Sequence, residues 1–441
     1  MKFIKLGLVA AAASVGLSGL AYSPSSEAQF LNSYVSGASA LRNTMSRLIA
    51  IYCRAGTGAV YELTTPPVGT QGQDFRAYSC TFKTAADAGF RPELTTFGLA
   101  GQTALIRHTV SFNGDIGGSI TGVTPLTTAI NVTLPFLEPG TVNFVAPVAP
   151  TGCAANGTDA ATGFLRFNCP TTANRRPEWG VSDAEPAVHI NFSRNRPTIA
   201  PWNQRPVGVI GTPLFVQGFG FIVNTGLATV TNVSTTQATA ILGGTYDNWS
   251  QLGGPNVPIT VCRRTAGSGT QSVFNELIQP GPATEVVGGG PFGQLTVVES
   301  PATSGVRTCV AGAAGGIGII GLDNNTPVAN TKFIAIDNVQ PHTAPSTINE
   351  NLIQNGTYNL WVESTINQHP TTLPAAGTAP RNFFEMIKAN GGDPGITLQL
   401  PGILASCDRG SPPRAVFPAG DISNFTRGGA TSPTNSQYCA F

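Results

Sequence analysis

Apolar positions along this chain switch repeatedly between a period of two and a helical period. Leu31 to Val35 and Ala104 to Phe112 alternate like half-buried strands, whereas Ala40 to Tyr52 places Leu41, Met45, Leu48 and Ile49 on one helical face. Pro213 to Asn224 is an almost unbroken apolar run punctuated by Gly, which suits a buried strand crossing between two bodies. Thr235 to Leu242 reads as a helix, and Gly243 to Trp249 as a turn carrying an exposed aromatic. Ile259 and Val261 belong to a buried strand that Arg264 ends. Gly267 to Thr270 then turn tightly, and Gln271 to Ile278 return to helical spacing with Val273, Phe274, Leu277 and Ile278. Gly315 to Ile320 is a glycine turn into a strand, Phe333 to Val339 and Tyr358 to Val362 are further strands, and Arg381 to Asn390 is a helix. Strands alternating with helices predict an α/β fold. Pro125 to Pro177 is rich in turn residues and short strands and reads as a β-rich insertion; the tail from Pro401 is rich in loops.

Four of the connections share one character: Ser36–Ser39, Gly117–Ser119, Ser182–Asp183 and Arg264–Thr270. A small-residue turn that opens a helix leaves backbone N–H groups unpaired, and the helix dipole adds partial positive charge there. Anions bind at such ends, and an arginine beside one offers a planar fork for two oxygens. The same turns also serve as plain connections in which a Ser caps a helix.

Composition narrows the class. With 441 residues the chain has room for two or three domains, and 41% hydrophobic residues make it globular. A formal net charge of +1 with 11% charged residues excludes a protein that works by binding nucleic acid or an anionic membrane surface. Residues 1–28 have the layout of a secretory signal. Lys2 and Lys5 precede an apolar run from Leu6 to Leu20, and a small-x-small site ends at Ala28, with Ala21 as the rival. No later run reaches the ~20 apolar residues of a membrane span, so a periplasmic or secreted mature chain is expected.

The 8 cysteines are Cys53, Cys80, Cys153, Cys169, Cys262, Cys309, Cys407 and Cys439. An even number in an exported chain reads as disulfides, and neighbour pairing couples 53 with 80, 153 with 169, 262 with 309 and 407 with 439. Connectivity stays open, since eight cysteines allow ~105 pairings. Zinc is the rival reading, but there is no Cys-x-x-Cys and the 4 histidines, His108, His189, His342 and His369, are scattered as surface or loop residues. No cofactor is expected. Gly316-x-Gly318-x-x-Gly321 fits a dinucleotide fingerprint formally but has strand-like isoleucines between its glycines. There is also no Gly-x-Ser-x-Gly elbow to support an enzyme.

The order of these segments resembles the periplasmic phosphate-binding proteins of ABC transport, the PstS-like and DING-like group. Arg264-x-x-Gly267-Ser268-Gly269-Thr270 is similar to that family's R-x-x-G-S-G-T element. Ile241 to Trp249 resembles its I-F-x-G-x-x-x-x-W segment, and Val181-Ser182-Asp183-Ala184 its A-S-D-A. Gly37-Ala38-Ser39, Gly118-Ser119 with Gly122, Gly316-Ile317-Gly318 and Tyr358-Asn359-Leu360 resemble its remaining landmarks in order. The resemblance implies a two-lobed, flytrap-like binding fold. Lobe one would hold 29–215, with the insertion at about 125–177, and the return from 329 to 441; lobe two would hold 216–328. A disulfide from Cys262 to Cys309 would brace the strand carrying Arg264.

The resemblance also implies a ligand set for phosphate or a related oxyanion: Ser39, Ala40, Ser119, Asp183, Arg264, Ser268, Gly269 and Thr270. Within it Asp183 is the informative member. A carboxylate repels an anion unless it accepts a proton from it, and hydrogen phosphate carries such a proton while sulfate does not. Two departures stand out: Ala266 occupies a position that is often acidic in the family and orients the arginine, and Ala40 replaces an aromatic. An extracytoplasmic binding protein, with an ABC permease as its possible partner, is the function implied. The alternatives are a secreted or surface protein that keeps the fold for adhesion or structure, and an exported phosphatase on the same fold.

Overall fold

In a computed structural model of the chain, most strands form one mixed sheet that runs through the whole molecule. The structure describes residues 30–112, 116–127, 132–184, 186, 189, 197, 199–200, 202–203, 206–278, 288–324, 329–344, 347–401, 403–406, 425–426 and 437–438. The signal segment, Cys407 and Cys439 lie outside them.

From one edge the sheet order is Gly288–Gly289, Leu295–Ser300, Thr260–Arg264, Gly316–Gly321, Ile210–Asn224, Trp361–Gln368, Trp179–Ser182, Leu31–Gly37, Thr103–Thr109, Phe75–Thr81, Ala59–Leu63, Leu165–Cys169 and Ala154–Thr158. Two long antiparallel strands at the middle, the crossing strand Ile210–Asn224 and the return strand Trp361–Gln368, join the halves. Their register slips between Pro213 and Phe215, where proline has no N–H to give the ladder.

Two hydrophobic clusters meet on these strands. Leu214, Phe215 and Ile366 pack with Trp179, Phe383 and Phe384 in the first; Val216, Phe219, Trp361 and Val362 pack with Trp249, Ile259 and Phe274 in the second. The chain therefore changes cluster at Phe215/Val216 and again between Val362 and Ile366. The fold is the two-lobed α/β binding-protein type. Ile334, Ile336, Ile353 and Tyr358, which a return from 329 would place with the first half, pack in the second cluster.

Local chemistry explains the elements that were legible. Ser234 and Gln237 form a reciprocal cap, each side chain bonding the other's backbone N–H, and the helix Thr235–Leu242 starts there. Helix Ala379–Asn390 buries Phe383 and Phe384 against Phe82 and Trp179.

Other expectations need correction. Trp249 is fully buried, its indole N–H donating to the Gly315 carbonyl at 3.0 Å, because the turn folds back over Pro258. His108, His189 and His342 are buried too; desolvation pushes each down to about 4 and keeps the ring neutral. The strand expected over Phe333–Val339 is split at Ile334 into Thr331–Phe333 and Ala335–Ile336, and a turn with Asp337 and Asn338 at positive φ ends the second piece. The return strand runs Trp361–Gln368 instead of Tyr358–Val362; Tyr358 precedes it and donates its hydroxyl to the Phe219 carbonyl at 2.6 Å. Gly316 to Gly321 are all strand, so the formal dinucleotide fingerprint lacks its turn.

The β-rich insertion does not stand apart. Leu165–Cys169 pairs in parallel with Ala59–Leu63, and Ala154–Thr158 pairs with Leu165–Cys169 in turn, so the segment extends the main sheet. Disulfides join Cys53 to Cys80, Cys153 to Cys169 and Cys262 to Cys309.

Candidate anion site

The eight residues singled out from sequence come from four segments and converge where the two halves touch. Strand Thr260–Arg264 delivers Arg264, which is 2% exposed. Gly267, at φ +95°, reverses the chain beside Ile120, whose N–H donates to the Gly267 carbonyl at 2.8 Å. Ser268 then caps the helix Gly269–Leu277, accepting from the Gln271 N–H. Its first residue, Gly269, packs so closely on the first half that a Cβ there would lie 2.4 Å from Ser119 Oγ.

Asp183 follows strand Trp179–Ser182 and is buried at 1% exposure. Its Oδ2 accepts from Thr270 Oγ1 at 2.5 Å, and its backbone N–H donates to Ser119 Oγ at 3.1 Å. Oδ1 is buried with no hydrogen-bond partner. Burial raises the Asp183 pKa, while the Thr270 hydroxyl and then the Arg264 charge oppose the rise. Arg264 is itself pushed down to about 10 by burial, with Asp183 and Asp74 opposing.

The starts of the predicted helices are less regular than their sequences suggest. Ser39–Leu41 is a single 3₁₀ turn that feeds helix Arg42–Tyr52, and Ser119–Gly122 is a 3₁₀ turn followed by a second one, Thr124–Leu126. Ser268 caps its helix as expected. Ala40 is buried, and its carbonyl accepts from Gln217 Nε2 at 3.1 Å, tying the turn to the crossing strand.

Sequence reasoning missed a fifth contributor, the helix Thr303–Gly312. Its residues, Thr-Ser-Gly-Val-Arg-Thr-Cys-Val-Ala-Gly, are mostly poor helix formers, which hides the helix in the sequence. Its first turn reaches the site. Arg264 donates from Nε to the Ser300 carbonyl at 3.2 Å, from Nη2 to the Pro301 carbonyl at 2.6 Å, and from Nη1 to Thr303 Oγ1 at 3.4 Å. Those carbonyls orient the guanidinium where Ala266 offers no carboxylate. Across the junction, Thr303 Oγ1 lies 3.0 Å from Ser39 Oγ, and the Thr303 N–H donates to Ser39 Oγ at 3.1 Å. Ser304 Oγ donates to Asp74 Oδ2 at 2.7 Å, and Asp74 pairs with Arg42 at 2.6 Å with both side chains buried. The available signal for this helix was the Thr303-Ser304 pair ahead of Val306 and Val310, which lie at helical spacing.

Residues 200–379, which include Arg264 and Thr303, match the model of the PBP superfamily domain. The chain is also similar in part to solved binding proteins. A putative phosphate ABC transporter substrate-binding protein with bound phosphate from Clostridium perfringens is 19% identical, with 51% of this chain and 78% of that chain covered and a TM-score of 0.37. An ABC-type phosphate transport receptor from Vibrio cholerae is 21% identical over 51% of this chain and 79% of that one, with a TM-score of 0.33. PstS from Borrelia burgdorferi is 18% identical over 52% and 79%, with a TM-score of 0.32. With overlap this partial, the strand order and the matched domain carry the fold. Among the described residues no helix is long and apolar enough to cross a membrane, and no cluster of His, Cys, Asp and Glu is arranged to hold a metal ion.

Proposed function

We propose that this PBP-domain protein is an extracytoplasmic binding protein, not an enzyme, and that it holds phosphate or a closely related oxyanion between its halves. Arg264 supplies charge; Ser39, Ser119, Ser268 and Thr270 supply hydroxyls; and the start of helix Gly269–Leu277 supplies backbone N–H groups. The observation that carries the reading is Asp183. A buried carboxylate with one oxygen on Thr270 and the other without a partner is costly by itself. A ligand that brings both negative charge for Arg264 and a proton for Oδ1 resolves that cost, and a protonated oxyanion does both. The lobes divide at Phe215/Val216 and between Val362 and Ile366, so that the ligand lies where they meet. An ABC permease is the partner such a protein would serve, and the fourth disulfide would join Cys407 to Cys439.

Calorimetric titration of the mature chain with phosphate, arsenate and sulfate tests the proposal. Phosphate and arsenate binding with sulfate rejected supports it; equal binding of all three, or of none, overturns it. One observation favours a second reading, a secreted structural or adhesion protein. Arg264 already bonds three acceptors of its own half, and Gly269 packs directly on Ser119 of the other half, so the groups of the site meet much of one another's bonding.

A further inference from the structure

Two hydroxyls at the junction leave a proton over. Ser39 Oγ accepts the Thr303 N–H, and Thr303 Oγ1 accepts an Arg264 Nη1–H. The 3.0 Å contact between the hydroxyls uses one of their two protons, whichever donates. The remaining O–H has no acceptor among the described residues, although Ser39 is 0% and Thr303 1% exposed. A buried hydroxyl proton without an acceptor, adjoining an arginine, is set to donate to an anion. Where Thr303 Oγ1 donates to Ser39 Oγ, the chain of donors runs one way, from Arg264 through Thr303 to Ser39, and such chains strengthen one another in a low-dielectric interior.

We propose that Thr303 is the positioning residue of the site, which holds Arg264 of one half and Ser39 of the other in a single hydrogen-bonded unit. The inference rests on the oxyanion reading for its ligand, and on the geometry alone for the coupling of the halves. Thr303 takes over part of what an acidic residue at position 266 would do for Arg264. Unlike such a residue, it also touches the opposite half, so Arg264 is fully oriented only when the halves meet. The disulfide Cys262–Cys309 ties the Arg264 strand to the helix that Thr303 begins, which keeps these two partners in register.

The test uses Thr303→Val, which keeps shape and backbone N–H but loses the hydroxyl, and Thr303→Ser, which restores it. Hydrogen exchange on ligand-free full-length mature protein reads the coupling: Thr303→Val should speed exchange both in the 37–42 segment of the opposite half and around Arg264, and Thr303→Ser should not. Phosphate titration reads the consequence. Thr303→Val should weaken binding about tenfold or more, Thr303→Ser by less than about threefold, and the Ser39→Ala/Thr303→Val pair by less than the product of the two single changes. Unchanged exchange in the 37–42 segment, or unchanged phosphate affinity, for Thr303→Val overturns the inference. If the unsubstituted protein binds no phosphate, the oxyanion reading fails, and the exchange data decide the positioning role by themselves. Should Thr303→Val fail to fold, Ser39→Ala removes the same hydroxyl contact from the other side and must loosen the Arg264 segment in the same way.

Discussion

Replacing Asp183 with Asn is the most informative single perturbation, because it should move affinity and stability in opposite directions. Oδ2 would keep a bond to Thr270, but the group facing a ligand at Oδ1 would change from a pure acceptor to an amide. A hydrogen bond to a charged group contributes about 1.5–3 kcal/mol, so hydrogen phosphate should lose about 10- to 150-fold in affinity. Sulfate experiences the opposite change. Two unit charges about 4 Å apart repel by about 4 kcal/mol at an effective dielectric of about 20, and Asn removes that repulsion. The phosphate-to-sulfate ratio should therefore fall by at least about a hundredfold. Burial raises the Asp183 pKa, so its ionised form opposes folding. Its contribution is most favourable when the carboxyl is protonated, below the unfolded carboxylate range, and is lost as pH rises through the folded value. Ligand-free Asp183→Asn should consequently melt higher than the parent at neutral pH, and the gap should close on acidification. Calorimetric titration with both anions and a melting series over pH measure these effects. A variant that binds phosphate like the parent, or leaves the ratio unmoved, refutes the proton-acceptor role.

Arg264→Ala should cost on the order of 2–5 kcal/mol in phosphate binding by titration, because the buried anion would lose its charged partner. Asp323 is buried on Thr44, Gln217 and Asn324, and desolvation pushes it up to about 6, with Arg47 foremost in opposing the rise. Its contribution to stability is complete below about 4 and lost as pH rises through about 6, so Asp323→Asn should flatten the melting profile across that window. Removing the 262–309 disulfide as a Cys262→Ala/Cys309→Ala pair should cost about 2–5 kcal/mol of stability in chemical denaturation. Thiol labelling of the denatured, unreduced mature chain should find no free cysteine, which also tests the pairing of Cys407 with Cys439.

Much of the fold was legible because its signals are local. The 235–242 helix announces itself through a Ser and a Gln three apart, the crossing strand through an apolar run, and the cysteine pairs that the structure describes through proximity in sequence. What the sequence concealed depends on tertiary contact. Trp249 sits in a Gly-rich, polar stretch, and only the fold brings Gly315 to its indole. Helix Thr303–Gly312 overrides poor propensity because Val306 and Val310 bury against Cys262 and Ile320. At the site, the turn motifs pointed to residues that do converge. The partners that hold Arg264, however, are backbone carbonyls at 300 and 301, and a carbonyl leaves no trace in residue identity. The buried histidines were misplaced for a similar reason: neutral rings in the interior look no different in sequence from rings on loops.

The pairing of Leu165–Cys169 with Ala59–Leu63 also bears on how the chain avoids sticking to copies of itself. Without the segment from 125 to 177, the border of the sheet would be Ala59–Leu63, five fully buried residues with a straight, unmet row of N–H and C=O groups. Such a row invites another strand. The border that exists is different. Ala154–Thr158 is mostly exposed, its register with Leu165–Cys169 slips between Ala155 and Thr158, and Gly157 lies at φ +72°. A kinked, small-residue margin is a poor template for intermolecular pairing. What reads in sequence as an added piece thus acts as a hem: it moves the raw edge of a very wide sheet outward and finishes it in a form that a neighbouring molecule cannot extend.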